Sequence, residues 1–469
     1  MNQKNLKKLK TSRWDRGISA LGIGLKGSVI ATQYTLDRVR GRASSPDKYL
    51  LAGAHLLTEE LDKLKGSLHK AGQLLSVFGE FFLPENALKV LEKLQANTTP
   101  VEWKLVEKTL KRSLGKDILS EIEIEPNPFA AASMGQVYLA TYKGQKIVVK
   151  IQYPGIDRSI QSDIDTLRTL FKVTNLLPDA EAFQEIFDEI RLMLMRETDY
   201  TLELETMEGI RKKLPPHGPF VIPETFANLS SKRVLAMNFI EGVNFAHPSL
   251  LSLSQERRNL LGFALLDLLF KEMFEWKSIQ SDAHPGNYLI QTSETGDKLV
   301  LLDFGAVRKF PDKFMESFKK MSLATLNRDY DEVIRLGKKI DYLRDTDGEE
   351  ACRTFYEICC NSLTGFMPDV ESQSLDGSVW SKNDFHWHEN SVITHMAGLA
   401  KSAIFKSKMR PPPKEAIFLD RKIAGVFAIL ARLKVIYGPG KLLRSYLEKN
   451  QAPTTSNLQL ESIDYKQNG

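Results

Sequence analysis

The stretch Ser281-Asp282-Ala283-His284-Pro285-Gly286-Asn287, followed by Leu301-Leu302-Asp303-Phe304-Gly305, decides the reading of this chain. In the first, an Asp precedes an Asn by five residues. A carboxylate at the start of such a loop can face an acceptor hydroxyl, and an amide oxygen at its end can hold a divalent cation. Alone this is a weak signal, because Asp and Asn favour turns anyway. The second stretch is an apolar strand that ends in Asp-Phe-Gly, with Asp303 sixteen residues after Asn287. A carboxylate there can coordinate a cation that bridges two phosphates. The two motifs in this order and spacing carry far more weight than either one.

Upstream, residues 129–153 change to a period of two. Gln136-Val137-Tyr138-Leu139-Ala140 and Lys146-Ile147-Val148-Val149-Lys150-Ile151 are β-rich, and Lys143-Gly144 between them gives a hairpin reading. Lys150 shares a face with Val148. A lysine beside apolar residues needs a charge partner or a ligand, and one here can reach the α- and β-phosphates of a nucleotide. Before the hairpin, residues 49–98 read as helix, with Leu61, Leu64, Leu68 and Leu75 on one side and a break at Pro84. A short helical stretch from about residue 101 leads to a turn signal, Glu125-Pro126-Asn127-Pro128. After the hairpin the pattern gives helix over 158–212, strand-like segments between Val221 and Phe239, and helix over 251–277. Mixed loop and strand follow, then mainly helix from 312 to about 445, with polar breaks near 368–384 and at Pro411-Pro412-Pro413. The order is a small β-containing lobe and then a large helical one, the kind of arrangement in which a cleft takes a nucleotide.

Composition bounds the rest. A chain of 469 residues can form two lobes. Its net charge is +5, but residues 1–48 hold eleven Lys or Arg against three Asp, which is 11 − 3 = +8 and leaves 5 − 8 = −3 for the remainder. The start is thus a basic arm, either a solvated leader or a contact with an anionic membrane. Trp14, Ile18, Leu21, Leu25 and Val29 recur in it at helical spacing, interrupted by glycines. It lacks the apolar region of a secretory signal. The apolar run from Ile423 to Ala431 is about half the length of a membrane span and reads as a buried helix. Three cysteines without CxxC spacing fit a reducing compartment, so the expected location is cytoplasmic, with the arm as a peripheral membrane contact. His386-Trp387-His388 with His395 lacks a third ligand at metal spacing and reads as packing. No nucleic-acid partner is expected. The polar last residues, 451–469, read as disordered.

Phe129-Ala130-Ala131-Ala132-Ser133-Met134-Gly135-Gln136-Val137-Tyr138 resembles the alanine-rich nucleotide loop of the UbiB/AarF family of atypical kinases. Lys70-Ala71-Gly72-Gln73 is similar to that family's KxGQ signature, and Glu197-Thr198-Asp199-Tyr200, with Glu203 after it, to its ExD element. Arg410-Pro411-Pro412-Pro413 through Leu419-Asp420-Arg421 resembles its C-terminal region. The resemblance runs from about residue 50 to 435. It implies an α+β, bilobal protein-kinase-like fold with an N-terminal helical KxGQ extension and a helical C-terminal lobe. The divisions expected are a leader over 1–48, the extension over 49–115, the first lobe over 116–245, the second over 246–450 and a tail over 451–469. By the same resemblance the cofactors are ATP or ADP with Mg²⁺. Ala130, Ala131, Ala132, Ser133, Gly135 and Gln136 would line the nucleotide, and Lys150 and Glu197 would hold its phosphates as an ion pair. Asn287 and Asp303 would hold Mg²⁺, Asp282 would be the base or water-positioning group, and Lys70 and Gln73 would enter the active-site cleft. The implied role is ATPase or atypical kinase activity in ubiquinone and isoprenoid-lipid metabolism at a membrane, with a lipid or isoprenoid as the small-molecule partner.

The residues set conditions on that picture. Alanines at 130–132 disfavour φ > 0 and leave only Gly135 free, so a stiff loop is expected. Lys70 and Gln73 share a helix face. Glu197 and Asp199 do not, so either the helix breaks there or only one of them meets Lys150. Glu203 and Glu205 read as a solvated acidic face. Gln280-Ser281 stands where ordinary protein kinases have His-Arg, which removes the usual contact for an activation-loop phosphate. His284-Pro285-Gly286 resembles small-molecule phosphotransferases of the aminoglycoside and choline kinase type. A genuine protein kinase and a nucleotide-binding adaptor without turnover also stay open, although the KxGQ helix argues against an open peptide groove.

Overall fold

The β-rich segments build one antiparallel sheet in the order β1-β2-β3-β5, from β1 (Ile122–Ala132), β2 (Gly135–Tyr142), β3 (Gln145–Gln152) and β5 (Val234–Asn238). The computed structural model describes residues 67–79, 101–132, 134–173, 180–282, 284–366, 385–388 and 412–448. The readings of the basic arm, of residues 49–66, of Pro84, Ser133, His395 and the 368–384 break, and of the 451–469 tail fall outside these residues. Lys143 and Gly144 turn the β2–β3 hairpin with φ of 50° and 79°, the left-handed pair that a two-residue hairpin needs. In β3 the period of two is plain. Ile147, Val149 and Ile151 are buried on one face, while Lys146, Val148 and Lys150 stay at least partly open on the other.

Two sequence expectations are corrected here. Residues 125–128 do not turn the chain; they run within β1, whose register slips between Ile124 and Pro128 and again between Pro128 and Ala130. β1 is an edge strand, and an edge with bulges tolerates prolines that cannot donate to a ladder. The alanine run is likewise not a free loop. Ala130, Ala131 and Ala132 pair with Val137, Gln136 and Gly135. Gly135 is needed for close approach rather than for φ > 0: a Cβ there would lie 2.1 Å from the Ile151 carbonyl oxygen on β3.

Helices accompany this sheet: α1 (Ser67–Gly79), α2 (Trp103–Ser120), α3 (Ile156–Val173), α4 (Ala180–Glu197) and α5 (Tyr200–Lys213). α1 packs on α3 and α4 through Ala71, Leu74 and Leu75, and α2 packs on β1 and β3. The chain divides into one unit of residues 1–208 and 223–239 and a second of 209–222 and 240–469. The division expected at 245 therefore falls at 239, and the KxGQ helix belongs to the same unit as the sheet. Residues 209–222 join the second unit because β4 (Phe220–Val221) pairs in parallel with β8 (Lys298–Leu301).

In the second unit β4, β8 and β7 (Tyr288–Gln291) form a three-stranded sheet, and β6 (Ser278–Gln280) pairs with β9 (Val307–Lys309). Its core is helical. α6 (Gln255–Phe270) buries Leu261, Leu265, Leu266, Leu268, Leu269 and Phe270, then widens into a π-turn over Lys271–Glu275. Helices α7 (Asp312–Leu326), α8 (Tyr330–Lys339), α9 (Glu349–Ser362), α10 (Lys414–Arg432) and α11 (Gly440–Glu448) complete it. The apolar run from Ile423 lies in α10 and buries Val426, Phe427, Ile429 and Leu430, as expected of a core helix. Among the described residues no helix is long and apolar enough to cross a membrane.

Candidate active site

In the first unit, Lys150 is the centre. Its ammonium donates to both carboxylate oxygens of Glu203, at 2.7 and 2.9 Å, and lies 4.9 Å from the centre of the Tyr200 ring. The expected Lys150–Glu197 pair is thus corrected: the carboxylate belongs to Glu203. The physical reason is a helix break. α4 ends at Glu197, and Asp199 caps α5 by accepting from the Thr201 backbone N–H at 3.2 Å. Asp199 also meets Lys232 at 3.4 Å, so neither acid of the ExD element pairs with Lys150. From the restart at Tyr200, residues 200, 203, 207 and 210 form the buried stripe of α5. Glu203 sits in that stripe, not on a solvated face. Glu197 instead lies 3.4 Å from Lys70, both nearly closed to solvent. Gln73 is half-buried, one turn along α1 on the same side.

Along the open face of β3, Val148 and its cross-strand neighbour Leu139 lead away from Lys150 to Lys146. The Lys146 ammonium lies 4.1 Å from the centre of the Phe239 ring, which packs edge-on against Phe129 at 5.9 Å. Phe129 is 55% exposed. Aromatic rings and an ammonium ion therefore stand at opposite ends of one apolar strip, four residues of β3 apart or about 13 Å. Ala130 and Ala131 are exposed and Ala132 is half-buried at the rim of this hairpin. Gln136 is a further correction. It points to the other face, is 1% exposed, and accepts from the Val101 backbone N–H at 3.0 Å, so it is spent on α2's entry and not free for a ligand.

In the second unit the two motif loops are tied to each other. The Gln280 amide donates to the Asp303 carbonyl at 2.7 Å and accepts from the Asp282 N–H at 3.3 Å. Ser281 donates its hydroxyl to the Ala306 carbonyl at 2.9 Å. The residues that depart from His-Arg therefore staple the loop from Asp282 to Asn287 to the segment after Asp303. His284 caps the following turn through the Gly286 N–H at 3.0 Å. The Asn287 side-chain nitrogen donates to the Asp282 carbonyl at 2.8 Å, which leaves the amide oxygen as the group to offer a cation. Asp303 Oδ1 accepts from the Gly305 N–H at 2.8 Å, which fixes the carboxylate and leaves Oδ2. One amide and one carboxylate oxygen are hard donors that suit Mg²⁺ with phosphate and water completing its shell. Among the described residues no cluster of three or more His, Cys, Asp or Glu forms a metal cage, and the His386 and His388 rings lie tilted to each other with centres 6.0 Å apart, on either side of the buried Trp387 in sequence.

Two contacts went unread in the sequence. Arg421 Nη2 lies 3.4 Å from Asp282 Oδ1. Its neighbour Lys422, 1% exposed, lies 2.7 Å from Glu272 and donates to the Tyr288 hydroxyl at 3.1 Å. Burial alone would push the Lys422 ammonium toward neutrality, but Glu272 and Tyr288 outweigh it and hold the group above its ordinary value. Arg421 ends the stretch that resembles the family's C-terminal region, but no local pattern gives either contact, since the partners are more than a hundred residues away.

The geometry is matched by kinship. Residues 93–337 match the ABC1 atypical kinase-like domain. The atypical kinase COQ8B, mitochondrial, of Rattus norvegicus is 30% identical over 91% of this chain and 79% of its own length. Its namesake in Danio rerio is 31% identical over 82% of this chain, which spans 59% of that relative. Among solved structures, the complex of Rv3197 with erythromycin from Mycobacterium tuberculosis superposes with a TM-score of 0.57 at 25% identity, covering 90% of this chain and all of that one. The protein-kinase-like α+β fold follows from these matches, and the chain belongs to the ABC1 atypical kinase-like family, that of the COQ8 and AarF proteins.

Proposed function

We infer that the protein binds Mg-ATP and turns it over as an atypical kinase or ATPase. The observation that carries this reading is the Gln280 bridge, which holds Asp282 and Asp303 in fixed register through one side chain. Lys150, aimed by its ion pair with Glu203, takes phosphate oxygens, as a lysine on β3 does in kinases. The strip from Val148 to Phe239 suits a flat base and sugar. Asn287 and Asp303 offer the two protein oxygens for Mg²⁺, which when bound neutralises charge developing on the phosphates. Asp282 accepts the proton of the attacking hydroxyl as the new P–O bond forms and the bridging bond to the β-phosphate breaks. ATP and water then give ADP and phosphate, or the phosphoryl group passes to another acceptor.

The family resemblance supports a role in ubiquinone or isoprenoid-lipid metabolism, with a lipid or isoprenoid as the partner at a membrane face. The mitochondrial designation of the rat and zebrafish relatives supports a place beside such a membrane, and three unpaired cysteines fit a reducing compartment. A small-molecule acceptor is the second reading, favoured by the macrolide in the similar solved structure. Purified protein with Mg-ATP, with and without anionic liposomes, tests the first reading. Phosphate release that Asp282→Asn abolishes, and that liposomes increase, is the expected result. Equal release from wild type and Asp282→Asn would refute it, and phosphate transferred to a hydroxylated small molecule with no liposome effect would favour the second.

A further inference from the structure

We propose that Arg421 is a positioning residue for Asp282, so that α10 is a working part of the catalytic machinery rather than only packing. The inference rests on the reading above. The two residues before Asp282 are Gln280 and Ser281, neither of them a cation. Arg421 brings a guanidinium to 3.4 Å from Asp282 Oδ1, with side-chain exposures of 25% and 15%. A guanidinium has five N–H donors in a planar fork. A single looser contact leaves most of them able to meet an anionic oxygen beside Asp282, which a tight bidentate pair would not.

The adjacent residue explains why Arg421 stays in place. Lys422 is sealed in the core against Glu272 of the π-turn and against Tyr288. Tyr288 directly follows Asn287. Two successive residues of one helix therefore grip the loop at both ends, Asp282 from Arg421 and the residue after Asn287 from Lys422. A buried ion pair is weak evidence of stability, because desolvation offsets much of its attraction. Its consequence here is register. Lys422 fixes how far along α10 the loop sits, and that places the Arg421 guanidinium at the Asp282 carboxylate rather than a turn away. Small misplacements of a group at a reacting centre cost up to about a hundredfold in rate.

The test compares wild type, Arg421→Met and Arg421→Lys for phosphate release, for Mg-ADP affinity by calorimetry and for melting temperature, with guanidinium ion added at millimolar level in one arm. The expected result for Arg421→Met is a fall in kcat of about ten- to a hundredfold. KM for ATP, Mg-ADP affinity and melting temperature stay near wild type, and either Arg421→Lys or added guanidinium restores part of the rate. An unchanged kcat in Arg421→Met overturns the proposal while leaving the activity standing. A loss of rate that follows a loss of nucleotide affinity or of melting temperature, with no rescue, also overturns it and makes Arg421 structural. A wild type that binds Mg-ADP but releases no phosphate overturns the catalytic reading itself, and this proposal with it.

Discussion

The alanine hairpin of the first unit and the loop from Asp282 to Asn287 of the second both carry residues that the family resemblance assigns to nucleotide chemistry, yet they are held by different means. Among its described residues the hairpin is held mainly by main-chain pairing, Ala130 to Ala132 against Val137 to Gly135, with Gly135 pressed onto β3 and the Gln136 side chain tied back to Val101. The loop is held by side chains: Gln280 and Asn287 close it on itself and on Asp303, and Arg421 reaches it from α10. A region built from side-chain hydrogen bonds fails through chemistry when one group is changed. A region built from backbone fails through space and entropy. Substitutions can be chosen to separate these two modes.

The largest effect is expected in the loop. Asp303→Asn keeps the shape and removes one charge, so kcat should fall by about 10²–10³-fold while melting temperature stays near wild type, as for loss of one group stabilising developing charge. A comparable fall in melting temperature would mean that Asp303 is structural. The hairpin should respond the other way. Gly135→Ala puts a methyl group 2.1 Å from the Ile151 carbonyl, so strands must part, and a loss of about 2–3 kcal/mol is expected from the denaturant midpoint at constant m-value. Stability equal to wild type would show that β3 yields easily, and the contrast between the regions would weaken.

A third prediction uses pH. Burial raises the Asp420 carboxyl, next to Arg421, from 3.8 to about 7. Its folded value lies above its unfolded one, so the protonated form favours the fold. That contribution is complete below about pH 4 and is lost as pH rises through about 7. Because an edge of the side chain reaches solvent, a difference of about 1–2 kcal/mol is expected between the ends of that window. Asp420→Asn should flatten the decline in melting temperature between about pH 4 and 7, and an unchanged slope would place the titration elsewhere. The smallest effect belongs to Ala131→Gly. It should lower stability by about 0.5–1 kcal/mol through chain entropy and shift nucleotide affinity. An unchanged binding curve would mean that the ladder alone sets the hairpin's shape.

The same contrast explains what was legible from sequence. Asp282, Asn287 and Asp303 could be named as candidates because the chemistry expected of them needs those residue types at that spacing, and the β2–β3 hairpin was legible because Lys143-Gly144 marks its turn. Pro126 and Pro128 misled, since a pair of prolines signals a turn unless one knows that the strand is an edge. Glu203 carried a signal that was passed over: it falls in step with Tyr200, Met207 and Ile210, and an acid in an apolar stripe needs a buried cation. The rule that residues two apart do not share a helix face did flag the ExD element as irregular, and the break at Thr198 is its cause. Gln136 was assigned by its place in a motif, whereas strand alternation sends it to the opposite face from Val137. The contacts of Arg421 and Lys422 had no local signal, although Arg421 lies in a stretch that resembles the family's C-terminal region, because only the folded chain brings α10 to the loop.

The span between Asp282 and Arg421 has a consequence for how the protein comes into being. The two are 139 residues apart. A ribosome that has already made every motif from Lys70 to Asp303 must work for roughly six to twenty-five seconds more before it reaches the arginine. During that interval the nascent chain carries Lys150, Asp282, Asn287 and Asp303 without the Arg421 contact to Asp282. If the proposed turnover depends on Arg421, it is acquired only after that residue has emerged, and a half-made chain would spend no ATP.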